Sequence, residues 1–255
     1  MPAALAELLE QSRARLEPFA SRVHYFAAVG STNDVAASLP DGAVVLAEAQ
    51  TTGRGRRGHS WSSPPGSGIY ASVVVAPGRA RVDPSRATLL LTLAAGVALA
   101  EAIQEATGLR ADVKWPNDLY VSRRKLAGIL AEASGDRVIL GYGINTAASA
   151  HPPDLRDRIT SIEAELGRGS DRDRLFVETL AALSRRYEDL MNGRFDAILD
   201  AWRSRAPGAV GARVERAVGD GVERGITAGI DERGALLVRV GDRIERIVSG
   251  ELTWL

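Results

Sequence analysis

Apolar positions near the start of the chain follow first a helical and then a strand spacing. Leucines recur three and four residues apart within residues 3–16, which predicts an amphipathic helix. Two β-prone runs, residues 23–29 and 43–49, predict strands on either side of a short helix. Ser31 is followed three residues later by Asp34, so we expect a capping box where that helix begins.

A glycine-rich loop, residues 53–68, separates these elements from the most apolar part of the chain. Residues 69–76 are strongly β-prone, and Asp83 with Pro84 supplies an N-cap and a first-turn proline for a long helix ending near residue 107. The uncharged run 87–100 in that helix is shorter than the roughly 18 residues of a membrane span. We therefore interpret it as a buried helix.

Short strands joined by tight turns come next, and helical spacing returns after them. Consecutive strands with short connections pair antiparallel, which predicts an antiparallel region here. Helical patterns run from Ser170 through Tyr187 and over residues 195–203. The predicted strands are residues 111–115, 118–122, 125–133 and 137–145.

The last part of the chain has a different pattern. Pro207, Gly208 and Gly211 interrupt the helices, and four short alternating runs follow, separated by glycine and aspartate turns. This pattern predicts a small SH3-like β-barrel. We divide the chain into an N-terminal helical extension (1–22), a main domain (23–206) and a C-terminal SH3-like domain (207–255). The four runs are residues 213–218, 225–230, 235–240 and 244–248.

Composition excludes several classes of function. The 255 residues are 45% apolar and 25% charged, which is typical of a folded globular protein rather than a disordered one. The absence of cysteine removes disulfides and thiolate nucleophiles, and three scattered histidines disfavour a zinc site. Lysine plus arginine and aspartate plus glutamate both number 32, so no basic excess favours general nucleic-acid binding. Charged residues within the first 16 residues are unlike a signal peptide, and we expect a cytoplasmic protein without membrane attachment.

The strongest local motif is GRGRRG at residues 53–58, followed by Trp61. Interleaved glycines let the backbone approach an anion, while guanidinium groups bind phosphate or carboxylate oxygens. The spacing fits neither a P-loop nor a dinucleotide-binding fingerprint. By itself the motif is equally compatible with a solvated basic turn or an RGG-like nucleic-acid-binding segment.

Two further motifs carry polar groups beside glycines. KWPND at residues 114–118 precedes Lys125 and Gly128, although taken alone this segment is better explained as a hairpin with exposed lysines. Residues 141–145 form a strand with two glycines that ends in Asn145, and glycines in strands often mark bulges. Together the motifs supply fixed cations that suit nucleotidyl transfer, where two like unit charges about 4 Å apart repel by roughly 4 kcal/mol at an effective dielectric constant near 20.

The chain resembles the biotin protein ligases. Five motifs occur in the order and spacing of that family, and the combination of GRGRRG with KWPND is specific to it. A weaker match in the tail, residues 230–234 and 250–251, fits the SH3-like domain of the family. The motifs are residues 30–33, 50–61, 114–118, 124–130 and 143–145.

The resemblance implies an α+β fold, with a mixed, mainly antiparallel sheet like that of class II aminoacyl-tRNA synthetases. It implies that biotin and MgATP give biotinyl-5′-AMP, and that a lysine of a biotin carboxyl carrier domain then attacks the adenylate. It implies a catalytic role for Lys125, Arg54 and Asp118, with metal ligands unassigned. The biotin site would comprise Ser31, Thr32, Asn33, Gln50, Gly53, Arg54, Gly55, Arg56, Lys125, Gly128 and Leu130, and the nucleotide site Arg56, Arg57, Trp61, Lys114, Asn117 and Asn145.

Two hypotheses and two alternatives accompany this resemblance. Asp118 would position or deprotonate the acceptor lysine, and Arg56 would help a closing loop retain the adenylate. A lipoate or octanoate ligase of the same superfamily and a non-catalytic nucleic-acid-binding module are the alternatives. Only about 22 residues precede the first predicted strand, so we expect no operator binding, and a homodimer is compatible with the sequence. The basic residue that some members place beyond Gly250 is absent, which puts its role in ATP binding in doubt.

Overall fold

Seven strands of the described chain form one mixed sheet. The computed structural model describes residues 1–20, 22–150, 155, 157–219, 221–250 and 252–255. The strand order is β1-β2-β3-β7-β6-β5-β4, with β1 and β2 parallel and every other pair antiparallel. The predicted α+β class with a mixed, mainly antiparallel sheet is confirmed. The strands are β1 (Val23–Phe26), β2 (Val44–Ala47), β3 (Gly68–Val75), β4 (Asp112–Lys114), β5 (Asp118–Val121), β6 (Arg124–Ser134) and β7 (Arg137–Asn145).

The long helices α3 and α5 cover one face of this sheet, and α2 packs on the opposite face, where Ala36 meets Val45 and Val74. The longest helix, α3, is the core helix. Asp83 caps α3 as predicted, its carboxylate accepting a hydrogen bond from the Arg86 N–H at 3.0 Å. Among the described residues, α3 is long and apolar enough to cross a membrane, but 72% of its most apolar window is buried against α5, α6 and the sheet. The helices are α1 (Ala3–Ser12), α2 (Thr32–Ala37), α3 (Pro84–Thr107), α4 (Ile162–Leu166), α5 (Arg172–Met191) and α6 (Phe195–Arg203).

A second, five-stranded antiparallel sheet follows, in the order β11-β10-β9-β8-β12. It packs on the first unit through Trp115, whose indole N–H donates to the Gly234 carbonyl at 3.0 Å. The predicted SH3-like tail is confirmed, although the sequence pattern missed β12 and the first residues of β8 and β9. The strands are β8 (Val210–Val218), β9 (Gly221–Ile230), β10 (Leu236–Val240), β11 (Arg243–Ile247) and β12 (Thr253–Trp254). The three-part division of the chain stays a prediction.

Two local expectations are corrected. The first helix ends at Ser12 and continues only as a 3₁₀ turn, Arg13–Arg15. Ser31 is the N-cap residue of α2, but its side chain makes no capping hydrogen bond. The predicted capping box is wrong because Asp34 forms an ion pair with Arg54 at 2.5 Å instead. His151, one of the three histidines, and Glu251, part of the tail match, lie outside the described residues.

Candidate active site

A cavity of about 260 Å³ lies on the first sheet, where β6 and β7 form its floor. The start of α2, the glycine–arginine loop 53–61, the turn after β4 and the segment around Gly250 form its walls. The structure therefore brings together residues from motifs far apart in the sequence. The predicted site residues that line the cavity are Ser31, Thr32, Asn33, Gln50, Arg54, Gly55, Arg56, Arg57, Trp61, Lys114, Asn117, Asp118, Lys125, Gly128 and Leu130.

One end of the cavity is a chain of neutral polar groups. The Gln50 amide oxygen accepts from the Thr32 backbone N–H at 2.8 Å, and its NH₂ group donates to the Ser63 hydroxyl at 2.8 Å. The fully buried Ser72 hydroxyl lies 2.7 Å from the Thr32 hydroxyl and donates to the Asn33 amide oxygen at 2.6 Å. These contacts fix the amides, so this end is preorganised for a ligand with uncharged hydrogen-bonding groups.

Glycines in β6 and β7 leave room for side chains that pack against the cavity floor. A Cβ atom at Gly128 would lie 2.9 Å from the Trp61 ring, and one at Gly143 would lie closer still to the same ring. A Cβ atom at Gly141 would lie 2.9 Å from the Asn33 side-chain carbon and closer still to its oxygen. The strand glycines therefore serve close approach to cavity side chains rather than a bulge at their own positions.

The other end of the cavity is cationic. The Lys125 ammonium forms an ion pair with Asp118 at 2.7 Å and lies 5.5 Å from the centre of the Trp61 ring. Asp118 of β5 pairs with Gly128 of β6, and a register shift between Leu119 and Tyr120 brings Lys125, three residues before Gly128, to the same side. Both charged side chains are partly exposed, at 27% for Lys125 and 19% for Asp118, so they remain accessible to a ligand.

The arginine loop folds over the cavity as a tight turn. The backbones of Arg54 and Ser60 form an isolated antiparallel β-bridge, and the Gly55 N–H donates to the His59 carbonyl at 2.6 Å. Arg54 forms ion pairs with Asp34 at 2.5 Å and Glu132 at 2.9 Å, and these hydrogen bonds raise the pKa of its guanidinium. Its predicted catalytic role stays a prediction, with both terminal nitrogens bound to carboxylates in this structure.

Arg56 connects the loop to two other walls of the cavity. Its guanidinium donates to the Asn117 amide oxygen at 3.0 Å and to the Gly250 carbonyl at 3.4 Å. The Asn117 NH₂ group in turn donates to the Ile129 carbonyl at 2.8 Å. The loop, the KWPND turn and the segment leading to β12 are thereby joined around one opening.

Some predicted residues lie elsewhere, and some contributing residues were not predicted. Gly53 and Asn145 are outside the lining residues: Gly53 packs against the Ser63 side chain, and the buried Asn145 NH₂ group donates to the Thr160 carbonyl at 3.1 Å. Their ligand-binding roles stay predictions. Ser72, Glu132 and Tyr120 contribute to the site although no motif in the sequence includes them. Tyr120 lines the cavity, while Ser72 and Glu132 act through hydrogen bonds to Asn33. Strand alternation does not signal either kind of contact.

No cluster of three or more metal-ligating side chains occurs in the part of the chain that the structure describes. Asp118 is the one acidic side chain among the described residues that line the cavity. A divalent ion here would therefore take most of its ligands from phosphate oxygens of a nucleotide rather than from the protein.

The geometry suits an elongated ligand with an uncharged hydrogen-bonding head and an anionic end.

Comparisons with known proteins identify the family of the chain. The family model "Biotin/lipoate A/B protein ligase family" matches residues 26–145, and "Biotin protein ligase C terminal domain" matches residues 211–252. The chain belongs to the biotin/lipoate protein ligase family, in the branch with the biotin protein ligase C-terminal domain. The resemblance inferred from the motifs is confirmed.

Individual relatives support the same assignment. The chain is 34% identical to the bifunctional ligase/repressor BirA of Bacillus subtilis over 98% of its own length and 79% of that protein. It is 35% identical to the biotin–[acetyl-CoA-carboxylase] ligase of Paracoccus denitrificans over 82% of its length and 90% of that protein. The structure matches the biotin protein ligase from Aquifex aeolicus in complex with biotin and ATP with a TM-score of 0.81, at 29% identity, covering 92% of this chain and 99% of that one.

Proposed function

We propose that this protein is an ATP-dependent biotin ligase, which activates biotin as biotinyl-5′-AMP and transfers it to a lysine of a biotin carboxyl carrier domain. The observation that carries the proposal is the polarity of the cavity. Its neutral end, built by Thr32, Asn33 and Gln50, complements the uncharged ureido ring of biotin, and Lys125 stands where the carboxylate would lie.

In the first step a biotin carboxylate oxygen attacks the α-phosphorus of ATP, and pyrophosphate leaves. Both reactants are anionic, so the step needs cations that stay with the carboxylate as it becomes an acyl phosphate. Lys125 meets this need because its ammonium lies at the cavity floor, while Arg56 and Arg57 of the loop lie above it. The same loop limits access of water to the mixed anhydride.

In the second step the acceptor lysine attacks the acyl carbon, an amide bond forms, and AMP leaves. The attacking amine must first lose a proton, because its unperturbed pKa is near 10.4. Asp118 is the acidic group within the cavity lining and is already engaged with Lys125. We assign it the role of orienting the incoming amine and accepting its proton.

ATP enters as its magnesium complex, and the ion neutralises charge on the leaving pyrophosphate. The protein contributes Lys114, Asn117 and Asp118 to this side of the cavity. The acceptor is the carrier domain of a biotin-dependent carboxylase, and a cytoplasmic location and a homodimeric state are further parts of the proposal. The names of the Paracoccus denitrificans relative and its counterpart in Mycobacterium tuberculosis support the acceptor.

The decisive experiment is biotin transfer to a purified carrier domain with MgATP, read on an avidin blot. We expect labelling that requires ATP and disappears in Lys125→Ala. Arg124→Ala is the matched control, because it removes the adjacent cation, which pairs with Glu165 away from the cavity. Lipoate in place of biotin tests the related acyl ligase activity. Efficient lipoate transfer without biotin transfer by the folded protein would refute the proposal.

A further inference from the structure

Three side chains from the two sheets meet at one edge of the cavity. The Lys114 ammonium of β4 lies 4.8 Å from the centre of the Tyr120 ring of β5 and 5.2 Å from that of the Trp254 ring of β12. The two rings are stacked, with centres 6.4 Å apart and an angle of 25° between their planes. An ammonium at these distances is attracted by the faces of both rings.

The position of the Trp254 ring is fixed by its own strand. Trp254 pairs with Val214 of β8, and the next backbone N–H, that of Leu255, donates to the Arg213 carbonyl at 3.0 Å. The ring packs directly on Gly208, where a Cβ atom would lie 2.5 Å from a ring carbon. The ring is therefore held between the second sheet and the segment that leads into it.

Lys114 connects this aromatic pair to the site. Lys114 and Tyr120 both line the active-site cavity, and they also line a separate groove of about 380 Å³ on the side of Trp254. Trp254 lines the groove and is not among the described residues that line the active-site cavity. Lys114 pairs in register with Asp118, so a shift of its side chain would change the charge distribution beside Lys125.

We propose that Trp254 is a positioning residue for ATP use, holding the Lys114 ammonium at the nucleotide side of the cavity. This inference rests on the proposed ligase function. A lysine side chain has several rotatable bonds and loses conformational freedom when it is ordered. The face of the Trp254 ring adds a directional attraction for the Lys114 ammonium to the other contacts of that side chain.

The expected effect follows from the strength of such contacts. Removing the Trp254 ring from the Lys114 ammonium should weaken productive ATP binding by roughly three- to tenfold. Because the biotin-binding end involves other residues, biotin affinity should stay unchanged. The effect should be confined to the KM for ATP if Lys114 contacts ATP equally in the ground and transition states.

The test compares Trp254→Phe, Trp254→Leu and Trp254→Ala. Initial rates of biotin-dependent pyrophosphate release give the KM for ATP and kcat, and calorimetry gives the Kd for biotin. Phenylalanine keeps an aromatic face, while leucine keeps apolar bulk without one. We expect the KM for ATP to rise in the leucine and alanine variants and to be largely restored by phenylalanine, with the Kd for biotin within about twofold of wild type.

A double-mutant cycle with Lys114→Ala separates positioning from general stability. Trp254→Leu should add no further loss when Lys114 is already alanine. Val222→Ala, an exposed apolar position in the same sheet, is the matched control. Equal defects in the leucine and phenylalanine variants, or full additivity with Lys114→Ala, would overturn the inference. A wild-type protein that releases no pyrophosphate with biotin and ATP would instead refute the proposed function.

Discussion

The substitution Gly141→Ala tests whether the cavity floor must be bare backbone. Gly141 lies in β7 between Ser72 of β3 and Leu130 of β6, so its backbone is fixed on both sides. The added methyl group would come within 2.9 Å of the Asn33 side-chain carbon and nearer to the amide oxygen. Either Asn33 or the strand must move.

Asn33 has little freedom to move. Its amide oxygen accepts from Ser72 at 2.6 Å, and its NH₂ group donates to Glu132 at 2.5 Å. Overpacking a buried site costs about 1–3 kcal/mol, and breaking a buried hydrogen bond costs about 1–3 kcal/mol. Asn33 can relieve part of this strain by moving into the cavity, and that movement would disturb the biotin site. We therefore expect a loss of about 2–4 kcal/mol in biotin binding, equivalent to roughly 30-fold or more in Kd.

Calorimetric titration of biotin, below the unfolding temperature of the variant, measures this loss directly. Gly78→Ala is the matched control, because a Cβ atom there meets nothing within 4 Å. We expect the control to bind biotin as the wild type does. Biotin affinity in Gly141→Ala within about twofold of wild type would show that Asn33 is not held for the ligand and would refute the reasoning.

Three further substitutions probe the loop, the transfer step and the fold. Arg56→Gly removes the hydrogen bonds to Asn117 and Gly250, so biotinyl-AMP should escape and label bystander lysines; an avidin blot of added albumin that stays unlabelled would contradict this. Asp118→Asn should spare pyrophosphate release but slow transfer to the carrier domain, whereas equal loss of both steps would contradict its assigned role. Asp83→Ala removes the N-cap of α3 and should lower the free energy of unfolding by about 1 kcal/mol without changing the Kd for biotin; an unchanged urea midpoint would contradict the capping contribution.

Elements with strong local periodicity could be predicted from the sequence. Strands β6 and β7 show apolar alternation with a tight turn at Ser134 and Gly135, and the structure pairs them antiparallel along most of their length. The long helix α3 carries its own start signal at Asp83, and Gly108 ends it with a positive φ. In both elements the determining contacts lie within a few residues of each other.

Contacts that depend on the tertiary arrangement could not be predicted in this way. The capping box failed because Arg54, 20 residues away, binds Asp34. Ser72 and Glu132 lie in strands whose alternation predicts the face of the sheet that each side chain takes. It does not predict that Asn33 of α2 contacts both side chains. The parallel pairing of β1 with β2 depends on the path of the short helix between them, which strand propensity does not encode.

The contacts that close the arginine loop stabilise its ordered conformation, but each is weak enough for the loop to open. Arg54 is 40% exposed, so each of its two ion pairs contributes only about 0–1 kcal/mol. The Arg56 hydrogen bonds to Asn117 and Gly250 contribute about 0.5–1.5 kcal/mol each. Together these contacts sum to about 1–5 kcal/mol, and the conformational entropy lost when the loop orders offsets part of this, so a minor open population remains accessible. Substrates can enter through that minor population, and an acyl phosphate that adds contacts to the arginines would shift it further toward the closed state. The same loop can therefore admit biotin and ATP and still retain the reactive intermediate until an acceptor lysine arrives.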